Sequence, residues 1–254
     1  MARDNWTKDQ LILAFNLYCR LPFGRLHHRN PQIIELAGMI GRTPSAVALK
    51  LSNFARLDPS LQQRGIKGAS HGSKADEVIW DEFNNNWDKL AIESEALYAK
   101  LLGKQVPEHD DIDDFFEQAE GKEALRLSKV RVNQAFFRTA VLSAYNNQCA
   151  ITGIANVELL NASHIIPWRV DTTNRLNPRN GICLNALHDR AFDRGLITID
   201  DDYRVVVSDT ILNNDSRYTE EYFSKYHLKE ITLPEKFLPD KGFLEYHRGE
   251  VFVG

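Results

Sequence analysis

Residues 162–195 read ASHIIPWRVDTTNRLNPRNGICLNALHDRAFDRG, and the fold of the second half of the chain turns on them. Val157 to Ile166 is an apolar run carrying one histidine, His164, and Gly181 to Leu184 is a second short apolar run. Both read as strands, and the Asn-, Pro- and Arg-rich stretch between them reads as a loop. Ala186 to Arg194 has the pattern of a helix that Gly195 ends, and Cys149 to Gly153 reads as a turn before the first strand. The order is strand, long loop, strand, helix. It brings in His164, Asn180 and His188 at chain separations of sixteen and eight.

Taken alone, a histidine on an apolar strand is a satisfied core residue. His164 has more telling neighbours: CAITG at 149–153, ASHIIPW at 162–168, NPRNGICLNALHDRAFDRGLI at 177–197 and LEYHRGEVF at 244–252. Together these resemble the HNH endonucleases of restriction and phage-defence systems, over residues 131–254. The stretches WTKDQLILAFNLY (6–18) and GRTPSAVALKLSNFARLDP (41–59) are similar to the helical domain that often precedes this nuclease type. The resemblance implies a ββα-metal fold and divalent-metal-dependent hydrolysis of DNA that leaves 5′ phosphates.

It also assigns roles. His164 would take the proton from the attacking water, which suits a side chain whose pKa lies near neutrality. Asn180 matches the central asparagine, whose amide can bridge backbone groups across the loop and hold His164 in place. His188 matches the last histidine, which in the family holds one divalent ion. The residue before the catalytic histidine is often Asp or His and binds the metal; here it is Ser163. A second helical histidine four residues on is replaced by Phe192. Asp189 and Asp193 are the carboxylates left to complete the shell, although Asp193 lies about 140° round a regular helix from His188. Mg is the expected ion, with Mn, Co or Ni as alternatives. Arg169, Arg175 and Arg179 are natural phosphate clamps in the loop, and Trp168 packs it. Structural zinc in the family uses paired cysteines, here aligned with Cys149, Thr152, Leu184 and Leu187. One ligand of four is present, so no structural zinc is expected and apolar packing should replace it.

Composition sets the wider frame. A chain of 254 residues, 43% hydrophobic and 26% charged, is long enough for two globular domains. No apolar run is long enough for a membrane span and the opening MARDNWTKDQ lacks the apolar core of a secretion signal, so a cytoplasmic location is expected. The three cysteines, Cys19, Cys149 and Cys183, contain no CxxC pair and argue against a disulfide framework. The net charge of −4 hides a segregation: residues 1–70 carry +6, 71–127 carry −9, 128–194 carry +4 and 195–254 carry −5. Two basic segments suit a protein that touches a polyanion in two places.

In the first basic segment, Thr7 and Gln10 form a capping box ahead of Leu11, Ile12, Phe15 and Tyr18, an amphipathic helix. A loop with the basic run Arg25, His27, His28 and Arg29 leads to Asn30-Pro31, which starts a second helix. Gly41 ends that helix and Thr43-Pro44 starts a third, with Val47, Leu51 and Phe54 as its core stripe and Asp58-Pro59 at its close. The last two helices have a helix-turn-helix pattern. Ser45, Lys50, Asn53 and Arg56, with Arg42, Arg64 and Lys67, would then face DNA, Asn53 reading a base edge and the cations reaching phosphates. A plain helical scaffold or dimerisation unit is the competing reading.

Residues 77–101 keep an apolar stripe (Ile79, Phe83, Trp87, Leu90, Leu97, Leu101) that reads as one long helix or two end to end, closed by Gly103. An acidic linker at 104–127 follows. Its carboxylates Asp110, Asp111, Asp113 and Asp114 have no spacing that closes a metal shell. The second domain begins with a helix around Arg131, Phe136, Phe137 and Val141. The expectation is therefore an α+β protein with a helical, DNA-binding domain at 1–103, a linker at 104–127 and an HNH nuclease domain at 128–254. It would be a restriction endonuclease on double-stranded DNA, acting as a homodimer alongside a cognate methyltransferase or other defence component. The alternatives are a sequence-specific DNA-binding protein with an inactive nuclease fold, and a nuclease acting on RNA or structured nucleic acid. His247 is expected to be structural.

Overall fold

The protein is described from a computed structural model covering residues 5–66, 72–103, 122–214 and 216–254, with the backbone alone for 122–129. Lys67, Asp110, Asp111, Asp113, Asp114 and most of the expected linker lie outside the described residues. The chain divides into two compact units, Met1–Phe136 and Phe137–Gly254.

The first unit is built around α1 (Lys8–Arg20), whose start is the Thr7–Gln10 capping box. Every residue from Leu11 to Cys19 is buried, so α1, expected from its spacing to be amphipathic, is enclosed as the central helix of this unit. It is enclosed by α2 (Pro31–Met39), α3 (Pro44–Leu57), α5 (Lys74–Phe83) and α6 (Trp87–Leu101), while the short α4 (Pro59–Gln63) follows α3 directly. Phe15 sits at the middle of the core, with ring centroids 4.9 Å from Phe54, 5.4 Å from Trp80 and 6.1 Å from Trp87. Two polar side chains that α1 carries inward donate to partners there: Asn16 Nδ2 to Ser94 Oγ at 2.8 Å and Tyr18 OH to Asp58 Oδ2 at 3.0 Å. The apolar stripe of 77–101 resolves into α5 and α6, the first capped by Ser73.

Helix α7 (Lys122–Ala144) begins inside the stretch expected to be linker, and the division between the units falls within it. In the second unit, Phe137 and Val141 of α7 lie against the hairpin of β1 (Leu160–His164) and β2 (Gly181–Asn185). The strands are antiparallel, Leu160 opposite Asn185 and His164 opposite Gly181. A Cβ on Gly181 would stand 2.9 Å from Phe137 Cζ, which is why the strand opens with glycine. The first strand is shorter than its apolar run, because Val157–Leu159 forms a 3-10 turn. Helix α8 (Ala186–Asp193) follows β2 without a loop and is capped by Asn185. Gly195 ends it at φ +68, where a Cβ would also run into the Val251 carbonyl. A second hairpin, β3 (Ile197–Ile199) with β4 (Val205–Val207), two short helices α9 (Asp209–Leu212) and α10 (Arg217–Tyr222), and the carboxy-terminal α11 (Lys241–Tyr246) complete the unit. No described helix is long and apolar enough to cross a membrane.

Candidate active site

β1, the loop after it and α8 bring the chemistry together. On β1, alternate residues share a face, and Asn161 and Ser163 both reach the carboxylate of Asp189 in the first turn of α8. Asn161 Nδ2 donates to Asp189 Oδ2 at 2.7 Å, and Ser163 Oγ donates to Asp189 Oδ1. Asp193 stands one turn further along the same helix, about 40° round from Asp189. Partial desolvation, and then the charge of Asp189, push the Asp193 carboxyl above its ordinary value, with Arg190 and Arg194 opposing.

His164 ends β1. Its ring stacks on Phe137 with centroids 3.9 Å apart and meets Trp168 edge-on at 5.5 Å. Nε2 lies 2.9 Å from the Arg175 carbonyl, so it carries the proton and donates to that oxygen, leaving the Nδ1 lone pair free to accept one. Burial lowers the His164 pKa, while the Arg175 hydrogen bond and the Asp189 charge pull it back up. The imidazole is therefore neutral at physiological pH, the form a general base needs.

The loop that supplies the Arg175 carbonyl is pinned by side chains spaced three apart. Asn180 Oδ1 accepts the Ile166 amide at 2.8 Å, and its Nδ2 donates to the Ile166 and Asn174 carbonyls, both at 3.2 Å. Asn177 Nδ2 donates to Asn174 Oδ1 at 3.2 Å. Asp171 accepts from the Thr173 and Asn174 amides at 2.8 and 3.0 Å and from Asn174 Nδ2 at 2.7 Å. Desolvation raises the Asp171 carboxyl, but these hydrogen bonds outweigh it and leave the pKa below the ordinary value.

Residues 149–200 match the family model HNH_2, described as HNH endonuclease. The chain carries an HNH endonuclease domain. A search of curated proteins gives no match. The HNH match spans the turn at Cys149, the β1–β2 hairpin, α8 and β3, and so contains the site residues just described apart from Phe137.

Within this HNH domain one assignment needs correction. His188, aligned with the family's ion-binding histidine, is buried, and its Nε2 is engaged as a donor to the Tyr222 carbonyl. Nε2 lies 2.9 Å from the Tyr222 carbonyl and Nδ1 lies 3.1 Å from Asn185 Oδ1, an oxygen that also accepts the Leu187 and His188 amides. Phe223 and Tyr226 pack against the ring. His188 thus links α8 to the end of α10, and no metal can take its Nε2 while Tyr222 holds it. Apolar packing is also not the whole of what stands at the zinc-type positions, since Asn185 Nδ2 lies 3.1 Å from Thr152 Oγ1 and 3.6 Å from Cys149 Sγ.

Of the three loop arginines, Arg169 is exposed and Arg179 half-buried. Arg175 donates from Nε to the Trp168 carbonyl at 2.8 Å and lies over the Trp168 ring. In the first unit, by contrast, most side chains expected to face DNA are occupied. Lys50 and Asn53 are buried, and both bind the buried carboxylate of Asp76, at 2.6 and 2.8 Å. Neither presents itself to a groove. Arg56 pairs with Glu77 at 2.9 Å, and Arg42 donates to Gln10 Oε1 and the Asn5 carbonyl. Of the expected α3 contacts, Ser45 alone is exposed.

Asn161, Asp171 and the Tyr222 carbonyl escaped the sequence reading. Asn161 was detectable, two residues before Ser163 on a strand and so on its face. The three-residue spacing of Asp171, Asn174, Asn177 and Asn180 was also visible. Nothing local points to Tyr222.

Proposed function

We propose that the chain is an endonuclease that hydrolyses DNA phosphodiesters with the help of a divalent metal ion and serves to restrict foreign DNA. The observation that carries this reading is the position of a neutral His164, tethered through Nε2 to the Arg175 carbonyl, beside the Asp189 carboxylate within the residues matched by the HNH family.

The donor set fits a hard cation. Asp189 and Asp193 offer two carboxylates one helical turn apart and Ser163 adds a hydroxyl. No group of three or more His, Cys, Asp or Glu residues assembles among the described residues. Such a sparse oxygen set suits Mg, which keeps several waters, or Mn; with His188 engaged, the nitrogen donor that would favour Co or Ni is missing. When bound, the ion would neutralise charge on the attacked phosphate and stabilise the departing 3′ oxygen.

The protein's own groups do the rest. His164 Nδ1 accepts the proton of the attacking water, and the Arg175 carbonyl stabilises the imidazolium that results. Asn161 and Ser163 hold the Asp189 carboxylate in one orientation. Asn180 fixes the loop ends. Arg169, Arg175 and Arg179 approach the phosphates on either side of the cut. One site per chain cuts one strand, so a double-strand break calls for a homodimer or two binding events.

Incubating supercoiled plasmid, modified and unmodified, with Mg, Mn, Co or Ni tests the reading. Metal-dependent nicked or linear product, lost in His164→Ala, is the expected result. Absence of cleavage with every metal would replace it with the reading of a DNA-binding protein on an inactive HNH fold, which Ser163 at the usual ligand position and the engaged His188 would then explain.

A further inference from the structure

The basic charge of the first unit has to be somewhere other than the inward-turned face of α3. Among its described cations, Lys8, Lys50, Arg56 and Lys89 pair with Glu82, Asp76, Glu77 and Glu82 respectively, at 2.6 to 2.9 Å. The loop between α1 and α2 differs. Arg25, His27, His28 and Arg29 are all exposed, and the described structure gives none of these side chains an acidic partner. From Gln10 to Ile34 the sequence contains no Asp or Glu.

The loop is also built rather than loose. Phe23–Arg25 forms a 3-10 turn, the His27 amide donates to the Arg25 carbonyl at 2.9 Å, and the Asn30 amide donates to the His27 carbonyl at 2.9 Å. Asn30 Nδ2 closes the loop on the Arg25 carbonyl at 3.1 Å while its Oδ1 caps α2. These hydrogen bonds fix the loop's backbone, and the four side chains are left to solvent.

We infer that the Arg25–Arg29 loop is the phosphate-contacting surface of the first unit and engages the backbone of duplex DNA. The inference rests on the proposed function for its choice of DNA. Exposed, unpaired arginines on a fixed loop contact phosphates without reading bases, so the contact adds affinity and salt dependence rather than sequence preference.

The test uses the full chain in chelator, so that no cutting intervenes, with anisotropy of a short labelled duplex measured between about 50 and 200 mM salt. Arg25→Gln/Arg29→Gln should weaken binding about tenfold or more and flatten the slope of log affinity against log salt by about 2, near one unit per lost phosphate contact. Arg25→Lys/Arg29→Lys should recover most of the affinity. Lys74→Gln/Lys100→Gln, which removes equal charge from exposed positions of the same unit, should stay within about twofold of wild type. Thermal melts of all variants establish that they are folded. Equal affinity and slope in wild type and the loop glutamine variant, an equal loss in the Lys74/Lys100 control, or no binding of duplex by wild type would each overturn the inference. A wild-type protein that binds through the loop yet cuts nothing would remove the nuclease reading and leave this one standing.

Discussion

The Arg175 carbonyl lies 2.9 Å from His164 Nε2, and it is kept there by residues that touch neither. Asn180 joins the Ile166 and Asn174 backbones, and Asp171 gathers the amides that turn the chain just before Arg175. Asp171 and Asn180 are positioning residues in this arrangement. Asn180→Ala should lower kcat for DNA cleavage by about 10- to 100-fold, the range of other orienting groups. Asp171→Ala should fall at the lower end of that range. Both should leave KM and Mg affinity close to wild type, in steady-state kinetics with Mg titration, and an increase in KM alone would show that the loop serves DNA binding instead.

Asp189 and His188 are adjacent in sequence but face different partners, Asp189 the side chains of β1 and His188 the Tyr222 carbonyl. Removing the Asp189 carboxylate should abolish stoichiometric Mg or Mn binding in calorimetry, while His188→Ala should bind the ion within a few-fold of wild type. The second variant should instead lose about 1–3 kcal/mol of stability by denaturant unfolding, because the Tyr222 carbonyl is stranded and packing against Phe223 is lost. Metal binding lost in a folded His188→Ala protein would restore that histidine to the ligand set.

Lys50 and Asp76 form a buried pair, with Asp76 fully enclosed. Lys50→Met leaves the carboxylate buried without its cation and should cost about 3–5 kcal/mol, by analogy with other broken buried pairs. The double variant Lys50→Met/Asp76→Leu should recover much of that loss. Desolvation raises the Asp76 carboxyl, but hydrogen bonds from Lys50, Ser73 and Asn53 and the Lys50 charge hold it below its ordinary 3.8. A carboxylate depressed on folding stabilises the protein above that value and ceases to as pH falls through the folded pKa. Denaturation of wild type should therefore show an acid-labile step below pH 3.8 that Asp76→Asn lacks.

His247 braces the far end of α8. Its ring stacks on Phe192 at 3.7 Å, Nε2 donates to the Phe192 carbonyl at 3.2 Å, and Nδ1 accepts from Thr198 Oγ1 at 2.8 Å. Burial pushes its pKa down to about 4 from 6.5. A histidine buried neutral costs stability once the unfolded chain binds a proton that the folded one refuses. Stability should thus fall by about 3 kcal/mol between pH 6.5 and about 4, then level off for this group. Chemical denaturation across that range, compared with His247→Gln, separates this effect from the carboxylates.

Local signals carried much of the fold into the sequence. The Thr7–Gln10 box, Asn30-Pro31 and Thr43-Pro44 mark helix starts because capping is settled within four residues, and Gly195 marks the end of α8 for the same reason. What failed was set by distant partners. Lys50 and Asn53 look like surface residues until Asp76, more than twenty positions away, is brought under them. The alternation of α1 hides its burial on every side, since Asn16 and Tyr18 find their partners on α6 and beside α4. At the site, the placing of His164 on β1 and of Asn180 just before β2 was legible from the pattern of strand, loop and strand, and Asp189 entered only as a candidate. Its link to β1, and the engagement of His188 by Tyr222, depend on register and on a segment 34 residues further along.

The single-turnover rate of cleavage of a short DNA duplex at saturating Mg, measured for wild type and His164→Ala with matched folded fractions, tests the role of His164 most directly. A drop of about 10²- to 10⁴-fold, the usual contribution of a positioned general base, is expected. A variant that cuts within a few-fold of wild type would place the proton acceptor elsewhere and leave His164 as a core residue stacked on Phe137.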